Sequence, residues 1–326
     1  MGPQRMIRPR LIGPLVIAPV SEAKAARHLS AASGMVVAGD FLYVVADDEL
    51  HLGIFDTGGQ GEGRLVRVFP GELPDDPALR KAAKPDLEAL VRLPPFGNLP
   101  HGALLALPSG SRANRRIGAV LALDADSRLV GSPFPFDLSP FYMPLEAAFP
   151  ALNIEGAVVL GTDLILLQRA SRKHPRSALI HLPLDEVLRA TDSAIISASE
   201  PARVRIVDLG TIEGVPLGFT DGAALPDGRI VFSAVAENAE DTYRDGPCVG
   251  TAIGIIGTDG QVEALYGLEP THKVEGVHAT IDGNVIHLLM VTDADDAGVP
   301  GKLLGAEMPS HPQTRAGQDR DRQRHS

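Results

Sequence analysis

The sequence predicts an all-β fold, a five-bladed β-propeller closed by an N-terminal strand, and three observations carry that prediction. First, one pattern recurs five times: an acidic or hydroxyl residue, a small residue, then an apolar run. It stands at Ser33-Gly-Met-Val-Val, Glu88-Ala-Leu-Val-Arg, Glu155-Gly-Ala-Val-Val, Asp221-Gly-Ala-Ala-Leu and Glu275-Gly-Val-His-Ala, 54 to 67 residues apart. Each copy is followed by short apolar runs bounded by Gly, Pro and Asp, the pattern of four-stranded blades. Second, 34 Gly and 27 Pro among 326 residues exceed the usual combined share of about 12%, so turns are many and elements short. Third, hydrophobic residues reach 44% while aromatics make up only 4%, with no Trp. Packing therefore falls to Val, Leu, Ile and Ala, which suits stacked short strands.

The elements follow in order. Arg10–Ala18 reads as a strand; the alternative, a signal-peptide core behind Arg8 and Arg10, is weakened by Pro14 and Pro19 and by the lack of a small-x-small cleavage site. In blade three, Ile154–Leu160 and Leu164–Leu167 flank a Gly161-Thr-Asp163 turn, and Ser177–Leu182 and Arg203–Val207 form the outer pair. In blade four, Pro226-Asp-Gly228 joins Gly222–Leu225 to Arg229–Ser233. Short helices are expected at Ala78–Ala83, Pro140–Phe149 and Leu184–Ala190. The fifth repeat has strands from Lys273 and a third at Lys302–Glu307, but no fourth. Arg10–Ala18 is expected to supply it, sealing the ring and removing the exposed edges. Residues 1–308 then form one propeller domain and 309–326, devoid of aliphatic and aromatic residues beyond a lone Ala, a disordered polar tail.

Several function classes are disfavoured. The net charge of −11 and the absence of a long basic run argue against nucleic acid as partner. No apolar run approaches the roughly 18 residues that span a membrane. Cys248 stands alone, so no intrachain disulfide points to a secreted scaffold, and a cytoplasmic location is expected. Walker, Gly-x-Ser-x-Gly and His-Glu-x-x-His sequences are missing.

The first strand of a propeller blade lines the central channel, so Ser33, Glu88, Glu155, Asp221 and Glu275 are expected to converge around one axis. Carboxylates that close raise one another's pKa unless a cation intervenes. Ca²⁺, which takes about six to eight oxygen ligands, matches such a ring; Mg²⁺ or Mn²⁺ are alternatives, and no Cys/His cluster favours zinc or copper. Any one of these residues, an acid beside a small residue at a strand start, also fits ordinary turn chemistry; recurrence in every repeat makes the case for a ring. A second tier ends the second strands: Asp47 and Asp48, Ser109 and Ser111, Gln168 and Arg169, Glu237 and Asn238, Asp293, Asp295 and Asp296. Basic residues gather at the same mouth, among them Lys84, Arg115, Arg169, Arg172 and Lys273, and point to an anionic small-molecule ligand such as a phosphate.

The series Ser33, Glu88, Glu155, Asp221, Glu275 resembles that of the calcium-activated nucleotidases (apyrases), five-bladed propellers with a central Ca²⁺ on a Ser/Glu/Glu/Ser/Glu-like ring. Supporting phrases are Lys84-Pro-Asp-Leu-Glu88-Ala-Leu, Leu167-Gln-Arg169-Ala-Ser171, Gly218-Phe-Thr-Asp221 and Lys273-Val-Glu275-Gly. Asp221 stands where that family more often has Ser. The segments Lys84–Leu90, Asn153–Glu155, Gly218–Asp221 with Asp245-Gly-Pro-Cys248, and Val291-Thr-Asp-Ala-Asp295 are more similar still to an uncharacterised bacterial propeller family akin to the phytase-like and SdiA-regulated propellers. The resemblance implies a metal-dependent hydrolase of a phosphorylated or other anionic small molecule. Arg169, Arg172 and Arg115 would clamp the anion, with Lys84 and Lys273 beside them, and Asp47 or Glu237 would serve as general base. A non-catalytic binding propeller with a structural Ca²⁺ is the alternative. A third reading, a lactonase or esterase, would use His278 or His272 near the ion.

Overall fold

The computed structural model describes residues 2–3, 5–19, 27–59, 61–171, 173–193, 203–238 and 246–311. Five sheets are arranged as five blades, each a meander of antiparallel strands running outward from the axis. Blade 1 comprises Ala32–Ala38, Phe41–Ala46, His51–Asp56 and Arg64–Arg67, and blade 2 Leu87–Leu93, Ala103–Pro108, Ile117–Ala122 and Phe134–Asp137. Blade 3 comprises Ile154–Leu160, Asp163–Gln168, Ser177–Pro183 and Arg203–Val207. Blade 4 is built on Val215–Ala224, Ile230–Glu237, Cys248–Ile256 and Val262–Leu268, and blade 5 on Val274–Asp282, Val285–Thr292 and Lys302–Pro309. Helices α1 (Pro77–Ala83), α2 (Ser139–Glu146) and α3 (Leu184–Ser193) lie in the connections where the sequence suggests them.

The N-terminus closes the ring. Arg10–Pro14 pairs antiparallel with Lys302–Pro309, setting Arg10 opposite Gly305 and Leu11 opposite Leu304, and so completes blade 5. Arg5–Ile7 adds a parallel fifth strand to blade 4 against Tyr266–Leu268, a pairing the repeat pattern does not foretell. The expected strand Arg10–Ala18 breaks at Leu15, and Val16–Ile17 turns away to pair with Arg27–His28. The last strand runs through Pro309, and Ser310 is buried where its carbonyl meets Arg229; residues 312–326 of the expected tail lie outside the described residues.

Adjacent blades bury their facing sides in separate apolar clusters, one per seam. Period-two alternation in each strand serves two clusters at once: in blade 5, Val277, Ala279, Leu288, Met290 and Leu304 face blade 4, while Leu289, Val291 and Leu303 meet blade 1. Burial of Leu, Ile or Val contributes about 1.5–3 kcal/mol each, and these residues make up most of the core, with Tyr43, Tyr142, Phe219 and Phe232 its largest fully buried side chains. The one close Phe pair, Phe219 and Phe232, meets edge to face at 5.3 Å in the seam of blades 3 and 4.

Inner strands converge so tightly that the glycine of three repeats has a steric reason. A Cβ on Gly34 would sit 2.7 Å from the Leu90 nitrogen, one on Gly156 2.8 Å from the Asp221 Cα, and one on Gly276 2.8 Å from the Ser33 carbonyl oxygen.

Candidate metal centre at the channel mouth

Each inner strand departs from regular pairing at the same point. Ile154 pairs with Gln168 and Gly156 with Leu167, leaving Glu155 as an extra residue. Glu88 is extra between Leu87 and Ala89, and Glu275 between Val274 and Gly276. The shift in blade 1 spans Ser33 and Gly34. A bulge bends the strand and re-aims the extra side chain, which is how a residue of a sheet packed on both faces comes to point along the axis.

Blade 4 corrects the sequence reading. Phe219 pairs with Ala234 and Asp221 with Ser233, so the extra residue is Thr220. The ring in equivalent slots is therefore Ser33, Glu88, Glu155, Thr220 and Glu275, and Asp221 takes the slot that holds Gly or Ala elsewhere. The Asp-Gly pair of blade 4 imitates the Glu-Gly of blades 3 and 5, and only the pairing register separates them. Thr220, fully buried, donates to the Val274 carbonyl at 2.8 Å and lies 2.8 Å from the Ser233 hydroxyl. The Asp221 side chain fills the axis beneath the ring. Its Oδ2 accepts the Val277 N–H of blade 5 at 2.9 Å, and its Oδ1 lies 3.1 Å from where a Cβ of Gly156 in blade 3 would be. Oδ1, wholly buried, has no donor in hydrogen-bond geometry. Burial drives this carboxyl well above the usual range, against the lowering influence of the Val277, Gly222 and Met35 amides.

Above the ring the mouth divides into two halves. In blades 1 and 2, Lys84 lies between Asp47, with which it makes a close contact, and Asp86 Oδ1 at 2.9 Å. Asp86 also receives Arg115 Nη1 at 2.8 Å and the Ser109 hydroxyl. Arg115 spends its other arm on the Lys81 carbonyl of α1 at 2.8 Å. Oxygens of Asp47, Asp86 and Glu88 all lie within 4.8 Å of one another. Among the described residues none makes a hydrogen bond or ion pair with the Glu88 carboxylate, and burial, followed by the neighbouring charges of Glu155, Asp86 and Asp47, raises its pKa well above normal.

In blades 3 to 5, Arg169 reaches Glu155 Oε2 at 3.0 Å, Glu237 Oε2 at 2.9 Å and Glu275 Oε2 at 3.9 Å. It does so by lying across Gly218, where a Cβ would meet the Arg169 Cγ at 2.7 Å. Asn153 donates to the other oxygen of Glu155 and is itself held by Gln168 Oε1, which accepts its N–H at 2.8 Å. Lys273 sits among Asp295 at 2.7 Å, Asp293 at 2.9 Å, Glu237 at 3.5 Å and Glu275 at 3.6 Å. Burial pushes the Glu275 carboxyl up to about 8, opposed by Lys273 and Arg169 and reinforced by Glu155 and Asp293.

The expected site residues thus come together with altered roles. Lys84, Arg115, Arg169 and Lys273, anticipated as an anion clamp, are all directed at carboxylates; Arg172 lies outside the described residues. Asp47 and Glu237, the anticipated bases, are paired with Lys84 and Arg169. His278 does not reach the ring; it lines a separate cleft between blades 5 and 1. His272 contributes its carbonyl to the Thr251 hydroxyl at 2.6 Å. Asp86 and Thr220 are the residues the repeats do not reveal. Asp86 precedes its strand in a left-handed conformation with φ 61°, which no spacing rule announces. A cleft of about 860 Å³ opens beside this network, lined by Asp47, Asp48, Lys84, Arg80, Asp293 and Asp295 among others.

A hard divalent cation fits this donor set. The ring and its surroundings offer carboxylate and hydroxyl oxygens, Asp221 Oδ1 makes no hydrogen bond, Glu88 forms no ion pair among the described residues, and carboxylates outnumber the cations interleaved with them. No helix is long and apolar enough to cross a membrane among the described residues.

Among curated proteins none matches this sequence. Solved structures align with this chain at low identity. An α-L-arabinofuranosidase of Podospora anserina aligns over 95% of this chain and 99% of its own at 11% identity and TM-score 0.47. A gluconolactonase of Xanthomonas campestris aligns over 93% and 97% at 10% identity and TM-score 0.36. Hydrazine synthase of Kuenenia stuttgartiensis aligns over 84% of this chain at 13% identity and TM-score 0.37, this chain covering 60% of it. Those likenesses concern the fold alone. The family matched is neither the calcium-activated nucleotidases nor the phytase-like propellers: residues 28–308 match DUF6929, a family of unknown function, and the chain belongs to that family.

Proposed function

We propose that the protein binds a hard divalent cation, Ca²⁺ by preference, at the channel mouth, and that it is a metal-dependent hydrolase of a phosphorylated or other anionic small molecule. The observation that carries the metal site is the bulge repeated in every blade, which aims Ser33, Glu88, Glu155, Thr220 and Glu275 from equivalent slots toward one axis. Glu88, Glu155 and Glu275 would hold the ion, with the hydroxyl oxygens of Ser33 and Thr220 nearby and Asp47 and Asp86 on the side of blades 1 and 2. Mg²⁺ keeps several waters and few protein ligands, so a ring this rich in carboxylates favours Ca²⁺ over Mg²⁺. When bound, such an ion supplies a Lewis acid for a phosphoryl or carbonyl oxygen. Around it Asn153 and Gln168 fix the Glu155 carboxylate, and Arg169 and Lys273 offer N–H donors at the rim. Asp47 faces the open cleft, and burial raises its carboxyl against the lowering pull of Lys84. A carboxylate so placed suits proton transfer to and from water.

A second reading is favoured by the pairing of both bases. Asp47 and Glu237 are engaged by Lys84 and Arg169, as in a mouth built to hold shape, so the ion would pin the blades of a non-catalytic binding propeller. Metal content of protein purified without chelator, with thermal unfolding with and without EDTA in wild type and Glu155→Ala, tests the site. About one Ca²⁺ per chain, lost with its stabilisation in the variant, is expected; a metal-free protein indifferent to EDTA would overturn it. Phosphoester turnover by loaded wild type but not by Asp47→Asn then separates hydrolase from binding propeller.

A further inference from the structure

The seam between blades 5 and 1 differs from the rest of the core. Register places Arg10, Gly305, Leu289 and His278 in one row across blade 5, and Glu307, His287 and Thr280 in the next row on the same face. That face looks toward blade 1. Apolar packing between these blades, through Met35, Val44, Val291 and Leu303, covers only the half nearer the mouth. Beyond it the seam opens into a cleft of about 690 Å³ that Val37, Gly39 and Thr57 of blade 1 line from the other side.

The arginines in this cleft are engaged differently from the cations at the mouth. Glu307 lies 3.2 Å from the His287 ring, an ion pair only when that ring is protonated, and Arg8 pairs with Glu269 at 3.5 Å. Among the described residues none forms an ion pair or hydrogen bond with Arg10, although its side chain is held flat on the sheet. Its Nε lies 3.4 Å from where a Cβ of Gly305 would be, so the glycine leaves room for it. His278, partly buried at the inner end of that row, has its pKa lowered by burial, so it presents a neutral ring with one donor and one acceptor.

We propose that this seam cleft binds a small molecule through an oxyanion, a phosphate or carboxylate group, with Arg10 as anchor of that group and His278 and Thr280, three strands inward, as hydrogen-bonding partners for the rest of the molecule. A planar guanidinium with no carboxylate partner among the described residues forks onto either anion, whereas Lys84, Arg115, Arg169 and Lys273 at the mouth are directed at carboxylates. The site is independent of the metal ring.

The test is calorimetric titration of the full chain with inorganic phosphate and, separately, citrate, at low ionic strength with EDTA present so that the ring contributes no metal. Saturable binding of at least one anion is expected, and the two titrations separate phosphate from carboxylate recognition. Arg10→Ala removes the anchor and is expected to weaken binding about tenfold or more, the loss of one charge-assisted contact. Thr280→Trp fills the cleft without changing charge and is expected to abolish binding. Both positions are exposed on strands, and unchanged circular dichroism and unfolding confirm that the variants fold. Absence of saturable binding by either anion overturns the proposal. So does binding that survives either substitution unchanged, since that places the anion elsewhere or on an arginine outside the cleft.

Discussion

The two halves of the channel mouth solve the same electrostatic problem differently. In blades 3 to 5, each ring carboxylate has a cation: Arg169 spans Glu155, Glu237 and Glu275, and Lys273 joins Glu237 and Glu275 to Asp293 and Asp295. In blades 1 and 2, Lys84 and Arg115 are consumed one tier higher by Asp47 and Asp86, and among the described residues none forms an ion pair with the ring residue Glu88, which feels Lys84 only through space. In the first half five carboxylates share two cations and each touches at least one; in the second three carboxylates share two cations and Glu88 touches neither.

The largest effect expected from breaking this contrast comes from Arg169→Met. It leaves Glu155 and Glu237 buried without their shared cation, and removing one partner of a buried pair costs about 3–5 kcal/mol; urea unfolding in EDTA measures it. Lys84→Met in the second half is expected to cost less, about 2 kcal/mol, because Arg115 and Ser109 still hold Asp86. Equal losses would dissolve the distinction between the halves.

Glu88→Gln sharpens it. Without metal the variant is expected to melt about 2–4 °C higher than wild type, as relief of like-charge crowding near 1 kcal/mol implies. With Ca²⁺ it is expected to lose most of the stabilisation that the wild type shows. A lower melting point in EDTA would mean that Glu88 is satisfied after all.

The pH dependence follows from Glu275. Its folded pKa of about 8 lies above the ordinary value of 4.5, so the folded protein keeps a proton that the unfolded chain releases. That contribution to stability is complete below about pH 4.5 and is lost as pH rises through about 8. Glu88, Glu155 and Asp221 are shifted in the same direction. The metal-free protein is thus expected to lose stability between pH 5 and 8 while the Ca²⁺-loaded protein does not, as thermal melts across that range would show. The smallest expected effect is Thr220→Val, about 1 kcal/mol for the hydrogen bonds to Val274 and Ser233, with little change in metal affinity if carboxylates dominate the ring.

Much of this architecture was legible in the residues. The turns at Gly161–Asp163 and Pro226–Gly228, the outer strand Arg203–Val207 and the return of Arg10 to blade 5 follow from period-two patterns and from the missing fourth strand. The ring was legible in four of its five members, because an acid or hydroxyl before a small residue recurs wherever inner strands crowd the axis. The fifth was misplaced by one residue, since Thr220 and Asp221 are both polar and the Gly after Asp221 mimics the spacing of its neighbours.

By itself the sequence determined the number of blades, the closure by its own N-terminus and the gathering of acids at one end. Those depend on local periodicity and on covalent order. Tertiary structure alone decided which residue each bulge aims inward, how Lys84, Arg115, Arg169 and Lys273 are shared among the acids, and that Arg10 has no such partner among the described residues. Those outcomes depend on strand register and on distances across blades far apart in the chain, where a shift of one residue reverses a side chain's face and a few ångströms decide whether two charges pair.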